Sequence, residues 1–458
     1  MAAELDCGTW KARPRCAFFV SHKRRFCKLL PSAGRRYCGE HAACEADTMV
    51  GQQRNRIPCP LDPKHSVYAD VLQKHLKKCN SKECPLPVYY MKNINTEASD
   101  DEEDSENNDT LPLCTEEVAG LMAKIERFSE DLAFEVPRCI LLHESLREPL
   151  KEAGSGPAWK HLQQQASILG NLEHLALLRP GHCFVEFGAG RGHLAHWVQR
   201  ALPADKHAHF LLIDRSTARF KVDGKHKQGA GEFERLQIDI QHLDLRKVPK
   251  ISQKGFPVVG IGKHLCGSAT DFALRCLAEQ LPNLTNHVQS DLGVEDPRTE
   301  DHESWKAGFG SQDLRSESRD QSRKGSSVAG LVIALCCHHR CRWRDYVGKE
   351  FFRARGLGSK DFSRLCRLSS WATCGWGKGR NGADGHDPIA ETTCPFENSL
   401  DLDVNTRVAL GQQCKRMLDA GRVDFLRKRG FEATLKVYTD LTVSLENVLI
   451  TALPRKVY

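Results

Sequence analysis

At 458 residues the chain has room for about three domains of roughly 150 residues each, and its longest apolar run, Leu331 to Cys337, falls far short of the ~20 residues that span a bilayer. The net charge of +7 is mild for this length, so nothing in the bulk composition points to a membrane partner. The opening MAAELDCGTW carries neither a basic nor an apolar signal stretch, and the 20 cysteines are therefore expected as thiols or metal ligands of an intracellular protein, nuclear or cytoplasmic, and not as a disulfide framework.

Charge and cysteine are concentrated at the start. Met1 to Asn95 holds seventeen Lys and Arg against eight Asp and Glu, and eight of the 20 cysteines fall in the first 84 residues. Cys16-x10-Cys27-x10-Cys38-x2-His41 supplies three thiolates and an imidazole, a closed set of the kind that holds structural zinc, and predicts a CCCH zinc finger over 10–45. Cys7 and Cys44 are competing ligands nearby. Cys59-x5-His65-x9-His75-x3-Cys79 predicts a second finger over 55–84, with a helix around Tyr68 to Leu76 that would carry His75 and Cys79 on one face; Cys84 is a spare ligand. This spacing resembles the CHHC finger of a minor-spliceosome protein and of certain tRNA-modifying enzymes. Lys74, Lys77, Lys78 and Lys82 on the same module fit an RNA backbone.

The run EASDDEEDSENND, Glu97 to Asp109, has eight carboxylates and no base. Like charges at that density repel and bury nothing, so 85–112 reads as a disordered acidic linker. Val118, Leu121, Ile125, Phe128 and Leu132 then recur three and four apart, which predicts an amphipathic docking helix over 113–136 that Pro137 ends.

From 158 to 458 short apolar runs alternate with helical patterns, which predicts an α/β fold with a doubly wound, largely parallel sheet. Cys183 to Phe187 reads as the first strand, Gly188, Ala189, Gly190 and Gly192 as a tight turn, and Leu194 to Ala201 as a helix start. Glycine lets such a turn approach a ligand closely, and the helix N-terminus beyond it receives the ligand's polar end. Glu186 lies at the end of the first strand. A second strand, His209 to Asp214, ends in an acid placed to accept from a ribose diol. A third, Arg235 to Ile240, carries Asp239 and is followed by His242 and Asp244, an edge for an adenine. Strands at Pro257 to Gly262 and Val328 to Cys336 follow, and Phe431 to Thr439 with Leu445 to Leu453 predict an antiparallel hairpin at the sheet edge. The polar stretch 286–327 reads as a disordered insertion, and Gly375 to Gly385 as a glycine-rich loop.

Ligands of open α/β sheets bind at the carboxyl ends of strands. Two segments fall there: Gly262 to Asp271 (GKHLCGSATD) and Cys336 to Cys341 (CCHHRC). Lys263 is the first candidate for a base or a cation that steadies an alkoxide, with His264, His338 and His339 as rivals. Cys266, Cys336, Cys337 and Cys341 with these histidines leave a third zinc site open.

The glycine turn flanked by Glu186 and Asp214 resembles the class I methyltransferases, whose mixed seven-stranded, Rossmann-like sheet binds S-adenosylmethionine. That likeness implies a donor pocket formed by Glu186, Gly188, Gly190, Gly192, Asp214, Asp239 and Asp244, with Gly188 and Gly190 under the methionine end. The whole order (CCCH, CHHC, FVEFGAGRGHLA, LLIDR, KHLCG, CCHHRC) is similar to the eukaryotic tRNA 2′-O-methyltransferases that modify nucleotide 4 of the acceptor stem. The resemblance implies methyl transfer to a ribose 2′-hydroxyl, zinc in both fingers, and the tRNA acceptor stem as partner. Two other classes remain open: a zinc-finger RNA-binding adaptor with an inactive body, and a methyltransferase acting on protein or a small molecule.

Overall fold

The computed structural model describes residues 15–20, 25–31, 36–38, 41, 56–79, 81–82, 86–97, 115–131, 136–203, 207–216, 231–280, 327–374 and 402–455. The chain divides into two compact units, Met1–Leu86 and Pro87–Tyr458. The acidic run beyond Glu97, the bulk of the 286–327 insertion and the glycine-rich loop lie outside the described residues.

In the first unit, strands β1 (Phe19–Val20) and β2 (Arg25–Phe26) pair antiparallel, as do β3 (Arg56–Cys59) and β4 (Asp62–Tyr68), the latter followed by a short helix α1 (Leu72–Leu76). The buried cluster beneath β1 and β2 consists of Cys16, Cys27 and Cys38, with Phe18, Val20 and Tyr37 packed against it. Among the described residues the buried members of this cluster are three thiols, too few to offset the chain entropy of folding, which is the situation in which a bound metal supplies the folding energy. Helix α1 ends at Leu76, so Cys79 lies beyond it and not on one helical face with His75 as the i, i+4 spacing suggests.

The second unit contains, in chain order, α2 (Thr115–Asp131), α3 (Arg147–Ala153), α4 (Pro157–His174), β5 (Cys183–Phe187), α5 (His193–Ala201), β6 (His209–Asp214), β7 (Glu232–Gln237), α6 (Pro249–Lys254), β8 (Val258–Cys266), α7 (Ala269–Gln280), β9 (Val328–Cys336), α8 (Lys349–Arg353), α9 (Ser359–Ser369), α10 (Trp371–Cys374), α11 (Val404–Lys428), β10 (Phe431–Val437) and β11 (Val448–Pro454). Seven strands form one sheet in the order β7-β6-β5-β8-β9-β11-β10, in which β11 runs antiparallel to both neighbours and the pairs from β7 through β9 are parallel. This is the expected mixed seven-stranded α/β sheet, with the closing hairpin at its edge.

Both faces of the sheet are covered. Cys183, Val185 and Phe187 pack into one apolar cluster with α7 and α11, while Phe184, Phe210 and Leu212 pack into a second with α4 and α5. Alternate residues serving opposite buried faces explain why these strands read as unbroken apolar runs. A third cluster holds the stripe of α2, Leu121, Ile125 and Phe128, against Trp343, Phe351, Phe352 and Leu418, which is the docking that the periodicity predicts.

Several boundaries differ from expectation: β8 runs on to Cys266 instead of ending at Gly262, and β11 spans Val448–Pro454 instead of Leu445 to Leu453. The third strand runs from Glu232 to Gln237, three residues earlier than the apolar pattern suggests, so Asp239 falls just past it as the cap of a short turn. Residues 87–97, assigned to the linker, belong to the second unit: Tyr90 bridges Leu243, and the fully buried Asn95 side chain donates to the carbonyls of Ile240 and Leu243 while its oxygen accepts from Gln280 Nε2. Among the described residues, no helix is long and apolar enough to cross a membrane.

Candidate active site and metal centres

Strand order reverses between β5 and β8: from β5 the chain steps outward through β6 and β7, and from β8 it steps the other way to β9. A crevice opens at the carboxyl ends of such a pair. The turn after β5 enters it. Gly188, Gly190 and Gly192 have φ of 61°, 49° and 74°, a left-handed backbone that glycine alone adopts without strain. A Cβ on Gly188 would sit 2.8 Å from Leu265 Cδ2 of β8, so the turn is pressed against the neighbouring strand.

Four polar contacts fix this turn. Gly190 N–H donates to Asp214 Oδ2 at 2.7 Å, Ser216 N–H donates to Asp214 Oδ1 at 2.8 Å, and Ala195 N–H donates to Glu186 Oε2 at 2.9 Å. Arg235 Nη1 donates to the Gly190 carbonyl at 3.0 Å, a contact that no local motif foretold. Burial pushes the Glu186 carboxyl up to about 8, with Asp214 adding to the shift, although the Ala195 amide, Arg235 and Lys263 oppose it. Asp214 is half-buried, and each of its oxygens keeps a second lone pair for an incoming hydroxyl.

Asp239 is half-buried, and one of its oxygens caps the following turn through Gln241 N–H. Asp244 does not join this group. It is fully buried, caps the turn Leu245–Lys247 and is clamped by Arg246, whose Nε and Nη2 donate at 2.9 and 3.1 Å. Its carboxylate is spent on structure. The His242 ring lies tilted against that of Tyr90, centroids 5.2 Å apart, and His242 Nδ1 accepts from Asn93 N–H.

Lys263 and His264 form a bulge near the carboxyl end of β8: two residues there stand against one on β9, between the pairs Gly262–Ile333 and Leu265–Leu335. His264 has φ of 68°. A left-handed histidine in a bulged strand is the kind of local strain that re-aims side chains at sites. Lys263 Nζ lies 3.1 Å from Nδ1 of His161 on α4, and the His161 and His264 rings stand edge to face at 6.2 Å. The rival His338 is buried, with Nε2 2.7 Å from Asp419. Arg422 completes that buried network, donating to Asp271 at 2.7 Å and Asp419 at 3.1 Å. Burial alone would raise Asp419, but His338 and Arg422 hold it below the usual carboxylate range. Burial lowers His339.

In the first unit, one potential ligand atom from each of Cys16, Cys27, Cys38 and His41 lies within 4.8 Å of the others, and the same holds for Cys59, His65, His75 and Cys79. The Sγ–Sγ separations are 3.9 Å for Cys27–Cys38 and 3.7 Å for Cys59–Cys79. With Zn–S of about 2.3 Å, a tetrahedron has an S–S edge of about 3.8 Å. His41 stacks on Phe18 at 3.8 Å, and Asp62 faces His65 Nδ1 at 3.6 Å, a carboxylate behind a ligand imidazole. Burial opposes ionisation of Cys16, yet amides of Cys38 and Phe18 with His41 bring its thiol down to about 7. Cys7, Cys44 and Cys84 lie outside the described residues.

A third set, Cys266, Cys336 and Cys337, meets the same 4.8 Å criterion in the second unit. Hydrogen bonds from Cys336 and Cys337 bring Cys266 down to about 3. Cys341 is not part of it and receives a hydrogen bond from Arg422 Nη2 at 3.2 Å.

Three protein families match consecutive parts of the chain: "CCCH zinc finger in TRM13 protein" over residues 14–42, "U11-48K-like CHHC zinc finger" over 56–80, and "Methyltransferase TRM13" over 163–453. The chain is 45% identical over 465 residues to a mouse (Mus musculus) protein named tRNA:m(4)X modification enzyme TRM13 homolog, covering 96% of this chain and 94% of that one. Its human (Homo sapiens) counterpart is also 45% identical, covering 97% and 95%. A Saccharomyces cerevisiae protein named tRNA:m(4)X modification enzyme TRM13 is 30% identical, covering 95% of each chain. Among solved structures, one named as a "putative sarcosine dimethylglycine methyltransferase" from Galdieria sulphuraria aligns over 72% of this chain and 97% of that one, at 6% identity and a TM-score of 0.23.

Proposed function

Because the chain belongs to the TRM13 methyltransferase family, we propose that it transfers a methyl group from S-adenosylmethionine to the ribose 2′-hydroxyl of nucleotide 4 in the tRNA acceptor stem. The observation that carries this reading is the pairing, at one switch point, of a glycine turn braced on Asp214 with a strand bulge that presents Lys263. The relatives are named as tRNA modification enzymes, which supports the substrate class.

The residues present fit the donor. The left-handed glycines keep Cβ atoms out of the turn, and around Gly190 a Cβ would meet nothing nearer than 4.0 Å. Asp214 would accept from the ribose hydroxyls, Asp239 would face the adenine edge, and the α5 N-terminus with Glu186 behind it would receive the methionine end. When bound, S-adenosylmethionine supplies an electrophilic methyl carbon on a sulfonium. In-line displacement needs the attacking oxygen aligned and relieved of its proton. Lys263 Nζ, steered by His161, is the group we assign to the 2′-hydroxyl, either taking its proton or balancing the charge that develops there. His264, on the same bulge, is assigned to substrate positioning.

Zinc fits both amino-terminal sets, one Cys3His and one Cys2His2. The basic residues around the second finger would contact phosphate, and an A-form stem offers its 2′-hydroxyls along a shallow minor groove without base flipping. An RNA-modifying role also implies an intracellular site of action.

Tritium transfer from labelled donor to total tRNA, to protein extract and to no acceptor tests the reading. Label in tRNA that maps to ribose 4 is the expected result. Label in protein alone, or donor binding without transfer, would replace it with one of the other two classes.

A further inference from the structure

The two motif segments at the carboxyl ends of β8 and β9 converge on a cluster of thiols. Cys266 and Cys336 are register partners on neighbouring parallel strands, with Sγ atoms 3.8 Å apart. Cys337 would ordinarily point to the opposite face of the sheet from Cys336, because side chains alternate along a strand. Its backbone is left-handed instead, with φ 51° and ψ 45°. That turn brings the third thiol to within 4.8 Å of the other two. Non-glycine residues accept such a backbone only where the surroundings impose it. The segments also meet backbone to backbone: a Cβ on Gly267, whose φ is +61°, would stand 2.5 Å from the Arg340 carbonyl oxygen.

We propose that Cys266, Cys336 and Cys337 form a third metal site, which takes zinc through three thiolates and ties the carboxyl end of β8 to that of β9. The spacing carries the argument. The 3.8 Å between Cys266 and Cys336 falls between the 3.9 and 3.7 Å of the sulfur pairs in the two finger sets, and it equals the edge of about 3.8 Å expected for tetrahedral zinc thiolate. A disulfide would need about 2.05 Å. Three thiolates select a soft or borderline cation over magnesium or calcium. Among the described residues the set has three members. Cys266 is three positions after Lys263, and a metal there would hold the far end of the bulge in place.

The test is elemental analysis of the full-length chain, purified with zinc under a thiol reductant and passed through metal-free buffer. One zinc beyond the two of the finger sets is expected, and Cys266→Ser with Cys337→Ser should remove only that one while the circular dichroism spectrum stays unchanged. The half-buried Cys337→Ser alone provides a milder variant should the pair fail to fold, and it should lose the same equivalent. Wild-type protein holding two zinc ions per chain overturns the proposal without recourse to any variant. So does a third zinc that survives these substitutions in folded protein.

Discussion

Lys263 Nζ stands 3.1 Å from Nδ1 of His161, so a bulged residue of β8 is held by a helix side chain 102 positions earlier in the chain. The contact assigns different behaviour to the two residues. Lys263→Met removes the group assigned to the reacting hydroxyl and should lower kcat on tRNA by about 10²- to 10⁴-fold, the usual worth of general acid–base assistance, with donor affinity preserved. His161→Asn keeps a polar partner but cannot ionise. It should cost less in rate, because Lys263 itself stays in the site. Rapid-quench transfer assays separate the two, and a Lys263→Met enzyme with wild-type turnover would remove Lys263 from the chemistry.

Glu186 links the donor pocket to the pH dependence of stability. Its carboxyl sits at about 8 in the folded chain against an ordinary 4.5, chiefly because it is buried. Between those values the unfolded chain has released this proton and the folded chain has kept it. The stabilisation is therefore complete below pH 4.5 and is lost as pH rises through about 8, by an amount on the order of a few kcal/mol. Glu186→Gln, neutral throughout, should flatten that part of the profile. Thermal melts of donor-free protein over this window check it, and parallel profiles for the two proteins would contradict it.

Asp214 is bound by two backbone amides, so its substitution can be read through geometry. Asp214→Asn places an amide NH2 opposite the N–H of either Gly190 or Ser216, a donor facing a donor. Loss of charge-assisted bonds of about 1.5–3 kcal/mol predicts roughly 10- to 100-fold weaker donor binding. Calorimetric titration of S-adenosylhomocysteine measures it, with circular dichroism to verify that the sheet is intact.

The strands that were plain in the sequence are those buried on both faces. β5, β6 and β9 match their apolar runs residue for residue because, Glu186, His209 and Asp214 excepted, their positions are buried and apolar. β7 was displaced because it is the edge strand, where Glu232, Glu234 and Arg235 interrupt the pattern. The length of β8 was hidden because a lysine and a histidine sit in its bulge. Helices α4 and α11 gave no clean apolar stripe, since their buried faces include Gln164, Gln165 and Asn171 in one and Lys415, Asp419 and Arg422 in the other. Asn171 donates to the Cys139 carbonyl, Lys415 pairs with Glu446 and Arg422 with Asp271, partners distant in sequence that periodicity does not register. The finger ligands were legible because their spacing is local, and the same locality misled at Asp244, whose partner Arg246 makes it a structural cap. His161 and Arg235 had no local signal.

Asn95 decides where the amino-terminal unit can be removed. Its fully buried side chain donates to the carbonyls of Ile240 at 2.6 Å and Leu243 at 2.9 Å, and it accepts from Gln280 at 2.6 Å. Deleting residues 1–86 leaves this strap in place, whereas deleting 1–97 strands those buried groups without it. An unsatisfied buried polar group costs about 1–3 kcal/mol. The shorter deletion should therefore keep the donor affinity and melting temperature of the second unit while raising the KM for tRNA, and the longer one should melt markedly lower. Asn95→Ala in the full chain isolates the strap from the fingers: it should lower the melting temperature without changing zinc content. Equal stability of the two truncated proteins would show that residues 87–97 only lie on the surface of the unit and do not brace it.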